Sequence, residues 1–276
     1  MEKYLEIERG IITTYRKRIY KKFRKAIEDY DMVKDGDKIA VCISGGKDSM
    51  LMAKCFQEFQ KHGGIKFELI FLVMNPGYTE KNLELIKSNA KLLNIPIEIF
   101  NSDIFSIIEK TLDDSPCFLC AKMRRGVLYG KGEELGCNKI ALGHHFDDAI
   151  ETMLLNIFYG GEVKTMMPKL HSDNFNLELI RPMFYIKEDD IINWKNSNKL
   201  EFLNCACKFS EVKAEEDSKR LEIKKLIKKF RKKSKYVDTS IFHSMSNINL
   251  NAVIGWSKDK KKYSFLDDYD NKKELK

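Results

Sequence analysis

The sequence contains no run of about 18 or more consecutive apolar residues, which excludes a conventional transmembrane helix. Its opening residues, Met-Glu-Lys-Tyr-Leu-Glu, do not form the apolar segment of a secretory signal. We therefore expect a cytoplasmic protein with no membrane partner. Internal repeats are also absent. The seven cysteines are an odd number in a chain without an export signal, which favours metal binding or catalysis over a disulfide framework.

The charge balance is moderately basic. Lysine and arginine number 49 against 41 acidic residues, which leaves a net charge of +8 and an isoelectric point near 8.9. This excess is compatible with a nucleic-acid partner but does not by itself establish one. The 276 residues and their 43% hydrophobic content suit one large domain, or a domain with appendages.

Two familiar phosphate-binding motifs are missing, namely the Walker A loop and the dinucleotide fingerprint G-x-G-x-x-G. Instead, a buried strand is predicted at residues 39–43, then Ser-Gly-Gly-Lys-Asp-Ser, then a helix from Met50. A glycine turn between a strand and a helix N-terminus is an anion site. This segment resembles the SGGxDS signature of the PP-loop ATP pyrophosphatases. The residues predicted to bind the nucleotide are Ser44, Gly45, Gly46, Lys47, Asp48 and Ser49.

Further strands are predicted at residues 66–74, 97–100, 139–143 and 177–181, with helical patterns between them. This alternation predicts an α/β fold with a doubly wound, mostly parallel sheet. Ligands bind such folds outside the carboxyl ends of the strands. We therefore expect Met74, Gly143 and His144 to contribute to the nucleotide site together with the glycine turn.

Basic segments flank this predicted domain. Residues 11–32 form a helical stripe of apolar side chains with arginine and lysine on the remaining faces, and residues 214–235 form a second basic helix. Either basic face could be a solvated surface or could contact RNA. We divide the chain into an N-terminal basic helix (1–35), a nucleotide-binding domain (36–210), a C-terminal basic helical region (211–257) and a flexible charged tail (258–276).

Four cysteines form two close pairs, Cys117 with Cys120 and Cys205 with Cys207. Three roles fit a C-x-x-C in an intracellular chain: a redox dithiol, half of a zinc site, or part of an iron–sulfur site. The first is typical of a helix start in a thioredoxin-like βαβ unit, a context that this region lacks. The other cysteines, at positions 42, 55 and 137, lie in apolar or helical settings and are predicted to be buried structural thiols.

The segment after the fourth strand carries Gly143-His144-His145-Phe146-Asp147-Asp148 and then Glu151. Carboxylates at a strand's carboxyl end can bind Mg²⁺ or transfer protons. Asp147 or Asp148 could instead cap the following helix, and the two roles are compatible because both use the same exposed end.

These segments together resemble the tRNA 2-thiocytidine synthetase family of the PP-loop superfamily. The resemblance covers most of residues 20–255. Lysidine synthetases share the Ser44–Ser49 and Gly143–Asp148 motifs but lack the cysteines. The related 2-thiouridine enzymes carry additional cysteines near their termini, and residues 1–40 of this chain contain none. The matching motifs are Ser44–Ser49, Cys117 with Cys120, Gly143–Asp148 with Glu151 and Thr152, Arg181 with Pro182, the Cys205–Cys207 region, and Ile241–Ile248.

The resemblance implies an enzyme that uses ATP and Mg²⁺ to adenylate the C2 oxygen of a tRNA pyrimidine, after which sulfur displaces AMP. It suggests cytidine in the anticodon loop and a homodimer. Lys47 would neutralise charge on the phosphates, and Asp48, Asp147 and Asp148 would bind Mg²⁺ or transfer protons. Cys117, Cys120 and one of Cys205 and Cys207 would hold a 4Fe-4S cluster, which would pass on sulfur received as sulfide or from a persulfide-carrying protein.

The sequence leaves open both the third cluster ligand and the function. The family places its late ligand in a C-x-x-C, whereas this chain has Cys205-Ala206-Cys207, so the third cluster ligand is unresolved between Cys205 and Cys207. The chain could also act on another tRNA base or sulfur-transfer substrate, or be a zinc-stabilised nucleic-acid-binding module. The Ser44–Ser49 loop argues against the last, because binding alone requires no ATP-cleaving signature.

Overall fold

The computed structural model describes residues 2–110, 116–203, 219–267 and 269. The chain divides into two compact units, Met1–Lys225 and Leu226–Lys276. Within the described ranges, no helix has both the length and the apolar composition needed to cross a lipid bilayer. The predicted domain boundary at residue 210 lies outside the described residues, as do Cys205 and Cys207.

A six-stranded sheet forms the centre of the first unit, in the spatial order β3-β2-β1-β4-β6-β5. All neighbouring pairs are parallel except the edge pair β5–β6. The predicted doubly wound, mostly parallel fold is therefore confirmed, with an antiparallel edge strand that the sequence did not reveal. In chain order the strands are β1 (Lys38–Cys42), β2 (Glu68–Asn75), β3 (Ile97–Asn101), β4 (Lys139–Ala141), β5 (Lys169–His171) and β6 (Glu178–Ile180).

Helices surround this sheet, and two short π-helical turns, Arg16–Tyr20 and Asn156–Gly160, follow the ends of nearby helices. The helix α6 begins at Pro116, so Cys117 and Cys120 lie in its opening turns, although the structure does not describe their side chains. The α-helices are α1 (Lys3–Ile12), α2 (Lys21–Asp29), α3 (Lys47–His62), α4 (Glu80–Leu92), α5 (Ile104–Lys110), α6 (Pro116–Glu134), α7 (Phe146–Leu155), α8 (Glu188–Ser197) and α9 (Lys219–Lys233).

The first helix begins earlier than the sequence pattern predicted, at Lys3, and the helical stripe is interrupted between α1 and α2. The predicted apolar stripe is nevertheless buried, because Ile19, Phe23 and Ile27 are at most 2% exposed. Most basic residues of this segment are exposed. Their contact with RNA stays a prediction.

A buried lysine joins the first helix to α3. Lys54 has no exposed side-chain surface, and its Nζ donates to Glu8 Oε1 at 2.6 Å, Gln57 Oε1 at 2.7 Å and the Leu93 carbonyl at 2.8 Å. Burial lowers the pKa of Lys54, and the hydrogen bond and charge of Glu8 oppose that effect. Glu8 on α1 thus compensates the buried charge of Lys54 on α3, the helix that follows the glycine turn.

The sheet order places the topological switch between β1 and β4. From β1 the chain runs outward through β2 and β3, then returns to β4 on the other side of β1. Val41 pairs with Ala141 near the carboxyl ends of these two strands. The Ser44–Ser49 loop and the Gly143 segment therefore leave the sheet side by side, where α/β folds bind their ligands.

The second unit contains α10 (Val237–Ser244) and a hairpin of β7 (Gly255–Lys258) and β8 (Lys261–Ser264). The sequence predicted a flexible tail over residues 258–276, whereas residues 258–264 belong to this hairpin. Flexibility of the remaining residues stays a prediction. Asp259 and Lys260 both have positive φ, at 50° and 64°, as two-residue hairpin turns require. The rings of Trp256 and Tyr263 stack across the strands with centroids 5.5 Å apart.

Candidate nucleotide-binding site

The Ser44–Ser49 loop is held by its own hydroxyl groups. The Ser44 amide donates to Ser49 Oγ at 3.1 Å, and that hydroxyl in turn donates to the Gly46 carbonyl at 3.1 Å. The helix α3 begins at Lys47, directly after this turn. Because the first amides of a helix lack intrahelical acceptors, the loop presents donors and the positive end of the helix dipole to a ligand. This geometry suits a phosphate.

Gly45 needs to be glycine for two reasons. Its φ is +85°, and a Cβ there would lie 2.7 Å from Ile86 Cγ1 and 3.0 Å from Leu203 Cδ1. Positive φ costs a residue with a Cβ about 1–2 kcal/mol, and overpacking adds about 1–3 kcal/mol. We expect Gly45→Ala to lower the free energy of unfolding by about 2–5 kcal/mol in denaturant titration.

Gly64→Ala is the matched control, since Gly64 also has positive φ, at +75°, but a Cβ there would have no atom within 4 Å. We expect this variant to lose about 1–2 kcal/mol, the backbone contribution alone. Equal losses in the two variants would contradict the predicted clash with Ile86 and Leu203.

The loop lysine lies between two carboxylates. Lys47 Nζ is 3.0 Å from Glu188 Oε1 and 3.3 Å from Asp48 Oδ2. Burial opposes the charge of Lys47, but the two carboxylates outweigh burial and raise its pKa. Burial raises the pKa of Asp48, against the opposing charges of His145 and Lys47. Lys47 therefore stays charged. A cation bound beside Asp48 would favour the ionised form of this carboxyl.

A second set of contacts continues from Asp48. His145 Nε2 lies 3.8 Å from Asp48 Oδ1 and 3.5 Å from Asp148 Oδ2. Arg220, at the start of α9, donates to Asp148 Oδ1 and to Glu151 Oε2, both at 3.0 Å.

Lys224 completes the connection, 3.8 Å from Glu151 Oε1 and 3.9 Å from Glu188 Oε2. These contacts return to Lys47 through Glu188. We call the resulting closed circuit of side chains the charged ring. Its members are Lys47, Asp48, His145, Asp148, Arg220, Glu151, Lys224 and Glu188.

The two predicted aspartates of α7 have different positions. Asp148 accepts a hydrogen bond from the His145 amide at 3.0 Å, so it caps α7 and also belongs to the charged ring. Asp147 is 3% exposed and accepts from the Glu188 amide at 2.7 Å, at the start of α8. Asp147 thereby fixes the helix that carries Glu188. A direct role of Asp147 in Mg²⁺ binding stays a prediction.

The two adjacent histidines face different partners. His145 has an extended backbone, and neighbouring side chains of an extended segment point to opposite sides. Arg181 Nε donates to His144 Nδ1 at 3.3 Å. Burial, with the positive charge of Arg181, lowers the pKa of His144 to about 4. His144 is therefore neutral near pH 7, and its ring accepts from Arg181 at Nδ1.

Gly143 and Met74 are two further residues that were predicted to contribute to the nucleotide site. A Cβ on Gly143 would lie 3.2 Å from the Ser49 amide nitrogen, so the fourth strand's end approaches the glycine loop closely. Met74 is 3% exposed and contacts a hydrophobic cluster with Ile104 and Phe105. The structure brings the Gly143 segment to the loop and places the Met74 side chain in the core.

The predicted metal ligands lie beyond what the structure describes. The side chains of Cys117 and Cys120 and all of Cys205 and Cys207 are outside the described residues. Among the side chains that the structure does describe, no group of three or more His, Cys, Asp or Glu residues has the arrangement of a metal site. Cys42, Cys55 and Cys137 are buried free thiols, as predicted.

The chain is similar to known proteins over most of its length. Residues 15–209 match a family described as a PP-loop domain. The chain is 35% identical over 233 residues to a tRNA-cytidine(32) 2-sulfurtransferase of Geotalea uraniireducens, covering 84% of this chain and 91% of that protein. The chain belongs to the tRNA-cytidine(32) 2-sulfurtransferase family of PP-loop proteins.

Another member of this 2-sulfurtransferase family, from Paraburkholderia xenovorans, is 36% identical over 237 residues, which is 84% of this chain and 68% of that protein. Among solved structures, the U34-tRNA thiolase NcsA from Methanococcus maripaludis with its 4Fe-4S cluster superposes with a TM-score of 0.64 at 23% identity. That match covers 83% of this chain and 79% of the thiolase. It confirms the fold.

The residues predicted from the sequence to form the site do not include these members of the charged ring: His145, Glu188, Arg220 and Lys224. His145 stood inside a predicted motif, but its neighbour His144 was chosen instead. Glu188 is 141 residues from its partner Lys47. Its only signal was its place at the start of a helix after the last parallel strand. Arg220 had no signal beyond lying in a basic helix.

Proposed function

We propose that this protein is an ATP-dependent tRNA thiolase that adenylates the C2 oxygen of a cytidine in the anticodon loop and replaces that oxygen with sulfur. The observation that carries the proposal is the Ser44–Ser49 loop at the switch point of the sheet, in a chain 35% identical to a tRNA-cytidine(32) 2-sulfurtransferase. The C2 oxygen is a poor leaving group, and adenylation converts it into one that departs with AMP.

In the first step the C2 oxygen attacks the α-phosphorus of ATP, and the bond to pyrophosphate breaks with its electron pair going to pyrophosphate. The loop amides and Lys47 bind the phosphates and stabilise this charge. In the second step sulfur bonds to C2, and the C2–O bond breaks as AMP leaves.

Asp48 and Asp148 are the residues we expect to hold Mg²⁺. Asp48 Oδ1 is buried and has no hydrogen-bond partner among the described residues, and His145 Nε2 is its neighbour at 3.8 Å. Carboxylate oxygens are preferred ligands of Mg²⁺, which is commonly bound by one or two carboxylates together with substrate phosphates. The donor set therefore fits the ion. The cation would favour the ionised form of a carboxyl whose pKa burial raises.

The cysteines supply the sulfur-handling part of the proposal. Cys117, Cys120 and either Cys205 or Cys207 would hold a 4Fe-4S cluster by three of its irons. A cluster held in this way supplies an open iron that can bind sulfide. The position of Cys117 and Cys120 at the start of α6 is compatible with this arrangement, because residues three apart lie on one side of a helix.

The remaining parts of the proposal concern the partners of the protein and its cellular compartment. The tRNA is the substrate, and sulfide or a persulfide-carrying protein donates the sulfur. The active form is a homodimer in the cytoplasm. The net charge of +8 supports a nucleic-acid substrate.

The deciding experiment measures AMP release from ATP by anaerobically reconstituted protein with Mg²⁺, sulfide and unmodified tRNA, together with mass spectrometry of the digested tRNA. We expect AMP release to require tRNA, and 2-thiocytidine to form. A tRNA carrying uridine in place of its anticodon-loop cytidine is the control. AMP release that ignores tRNA, or sulfur on another base, would contradict the proposal and favour a different substrate. Zinc without acid-labile sulfide would favour a structural cysteine site.

The exposed lysines of α9 provide a test of tRNA binding. Lys225, Lys228 and Lys229 are exposed and lie outside the charged ring, whereas Lys224 is also exposed but belongs to that ring and is left unchanged. Each phosphate contact contributes about 0.7–0.9 to the slope of log affinity against log salt. We expect replacing these three lysines with glutamine to reduce the slope by about 1–3 in filter binding. An unchanged slope would indicate a merely solvated face.

A further inference from the structure

Every cation of the charged ring is shared between two carboxylates. Lys47 contacts Asp48 and Glu188, Lys224 contacts Glu188 and Glu151, and Arg220 contacts Glu151 and Asp148. Neighbouring cations thus have one carboxylate in common.

This sharing places Lys224 next to the loop lysine and Arg220 next to Lys224. The Glu188 carboxylate lies 3.0 Å from Lys47 Nζ and 3.9 Å from Lys224 Nζ. Arg220 and Lys224 share Glu151 in the same way. Because α9 follows the sheet domain in the chain, these cations belong to none of the motifs that mark the PP-loop.

The two additional cations are accessible. The side chains of Arg220 and Lys224 are 48% and 43% exposed, whereas their common partner Glu151 is 3% exposed. Because Glu151 is buried, these are not weak surface pairs, and a ligand has to replace them with interactions at least as strong. Phosphate groups offer an arginine two parallel hydrogen bonds, which are among the strongest that a guanidinium makes.

We propose that Arg220 and Lys224 bind the pyrophosphate end of ATP together with Lys47, leaving their carboxylate partners when the nucleotide enters. Mg²⁺ held by Asp48 and Asp148 would offset the ring's excess of four carboxylates over three permanent cations, so that phosphate oxygens can replace Glu151 and Glu188 beside Arg220 and Lys224. After the α–β bond breaks, the same cations stabilise the charge on pyrophosphate. This inference rests on the proposed function for its nucleotide, but not on tRNA or the cysteines.

The test compares the affinity of the full chain for Mg²⁺-pyrophosphate with that for AMP, each measured by displacement of a fluorescent ATP analogue without tRNA. Hydrogen bonds to charged groups predict that Arg220→Ala weakens pyrophosphate binding by about 10- to 100-fold. AMP lacks the β- and γ-phosphates, so we expect its affinity to be unchanged. Arg220→Lys keeps the charge but loses the paired hydrogen bonds, and we expect it to have an intermediate affinity.

Two controls separate direct contact from a structural effect. Arg24→Ala removes an exposed arginine that also has a carboxylate partner at 3.0 Å, Glu28, and it should change neither affinity. Glu151→Gln removes the carboxylate that holds Arg220 and Lys224, so pyrophosphate should bind at least as tightly as to the unaltered protein. If Glu151→Gln reproduces the loss seen in Arg220→Ala, the arginine only supports the fold and the proposal is overturned.

Equal loss of pyrophosphate and AMP affinity in Arg220→Ala would also overturn it, because a distorted site weakens both ligands. So would an unchanged pyrophosphate affinity. Failure of the proposed function has a different signature: pyrophosphate discrimination persists, but tRNA gains no sulfur.

Discussion

Lys47→Ala is expected to lower the rate of AMP formation at saturating ATP by about 10²–10³-fold, the usual cost of removing one preorganised donor to developing charge. Lys47 follows the glycine turn directly and is held between Asp48 and Glu188 at 3.3 and 3.0 Å. Its loss removes the loop's only cationic side chain while leaving the loop amides in place. Single-turnover kinetics with labelled ATP would measure the chemical step alone.

Lys87→Ala is the matched control, since Lys87 is an exposed lysine on α4 whose partner Glu84 lies 2.7 Å away. We expect it to retain full activity. The iron and sulfide content of both variants should equal that of the unaltered protein, because neither lysine is among the predicted cysteine ligands of the cluster. A Lys47→Ala enzyme with an unchanged single-turnover rate would show that the loop binds something other than the reacting phosphates.

Cys120→Ala is expected to eliminate sulfur transfer and the 4Fe-4S cluster while leaving ATP affinity near that of the unaltered protein. A cluster held by three thiolates loses a third of its protein ligands with one substitution, and the nucleotide loop lies on a different element. Iron and acid-labile sulfide in anaerobically purified protein give the first measurement, and nucleotide binding gives the second.

Cys137→Ala provides the comparison. Cys137 is 5% exposed in a hydrophobic cluster with Ile140 and Leu179, and burial raises the pKa of its thiol. We expect the Cys137→Ala variant to keep its full iron content, because Cys137 is a buried thiol that is not predicted to bind the cluster. If Cys120→Ala retains full iron and activity, the ligand assignment is wrong. The same measurement on Cys205→Ala and Cys207→Ala would identify the third ligand.

The sequence was sufficient for the parts of the molecule that are encoded locally. The run at residues 39–43 became β1, and the fifth predicted strand became β6 with a boundary shift of one residue at each end. The glycine loop was predictable because strand, turn and helix follow one another without interruption. The hairpin near residue 260 was missed, since two charged residues in left-handed conformation gave no glycine or asparagine signal.

The charged ring could not be predicted in the same way, because it depends on long-range packing. Glu188 and Arg220 reach the site from helices that local patterns identify only as helices. The division between His144 and His145 depends on which side of an extended segment faces Asp48. That orientation is set where the chain passes from the end of β4 into α7, and the dipeptide itself carries no information about it.

The buried contact between Lys54 and Glu8 shows that the segment needed for folding is longer than the segment that matches the family. The family match begins at residue 15, yet the counter-ion of a fully buried ammonium lies ahead of that point. A fragment cut at the homology boundary would keep the whole phosphate loop and lose the carboxylate behind it. Uncompensated buried charge costs about 3–5 kcal/mol, a large share of a typical domain's stability. Any excised nucleotide-binding domain should therefore retain α1.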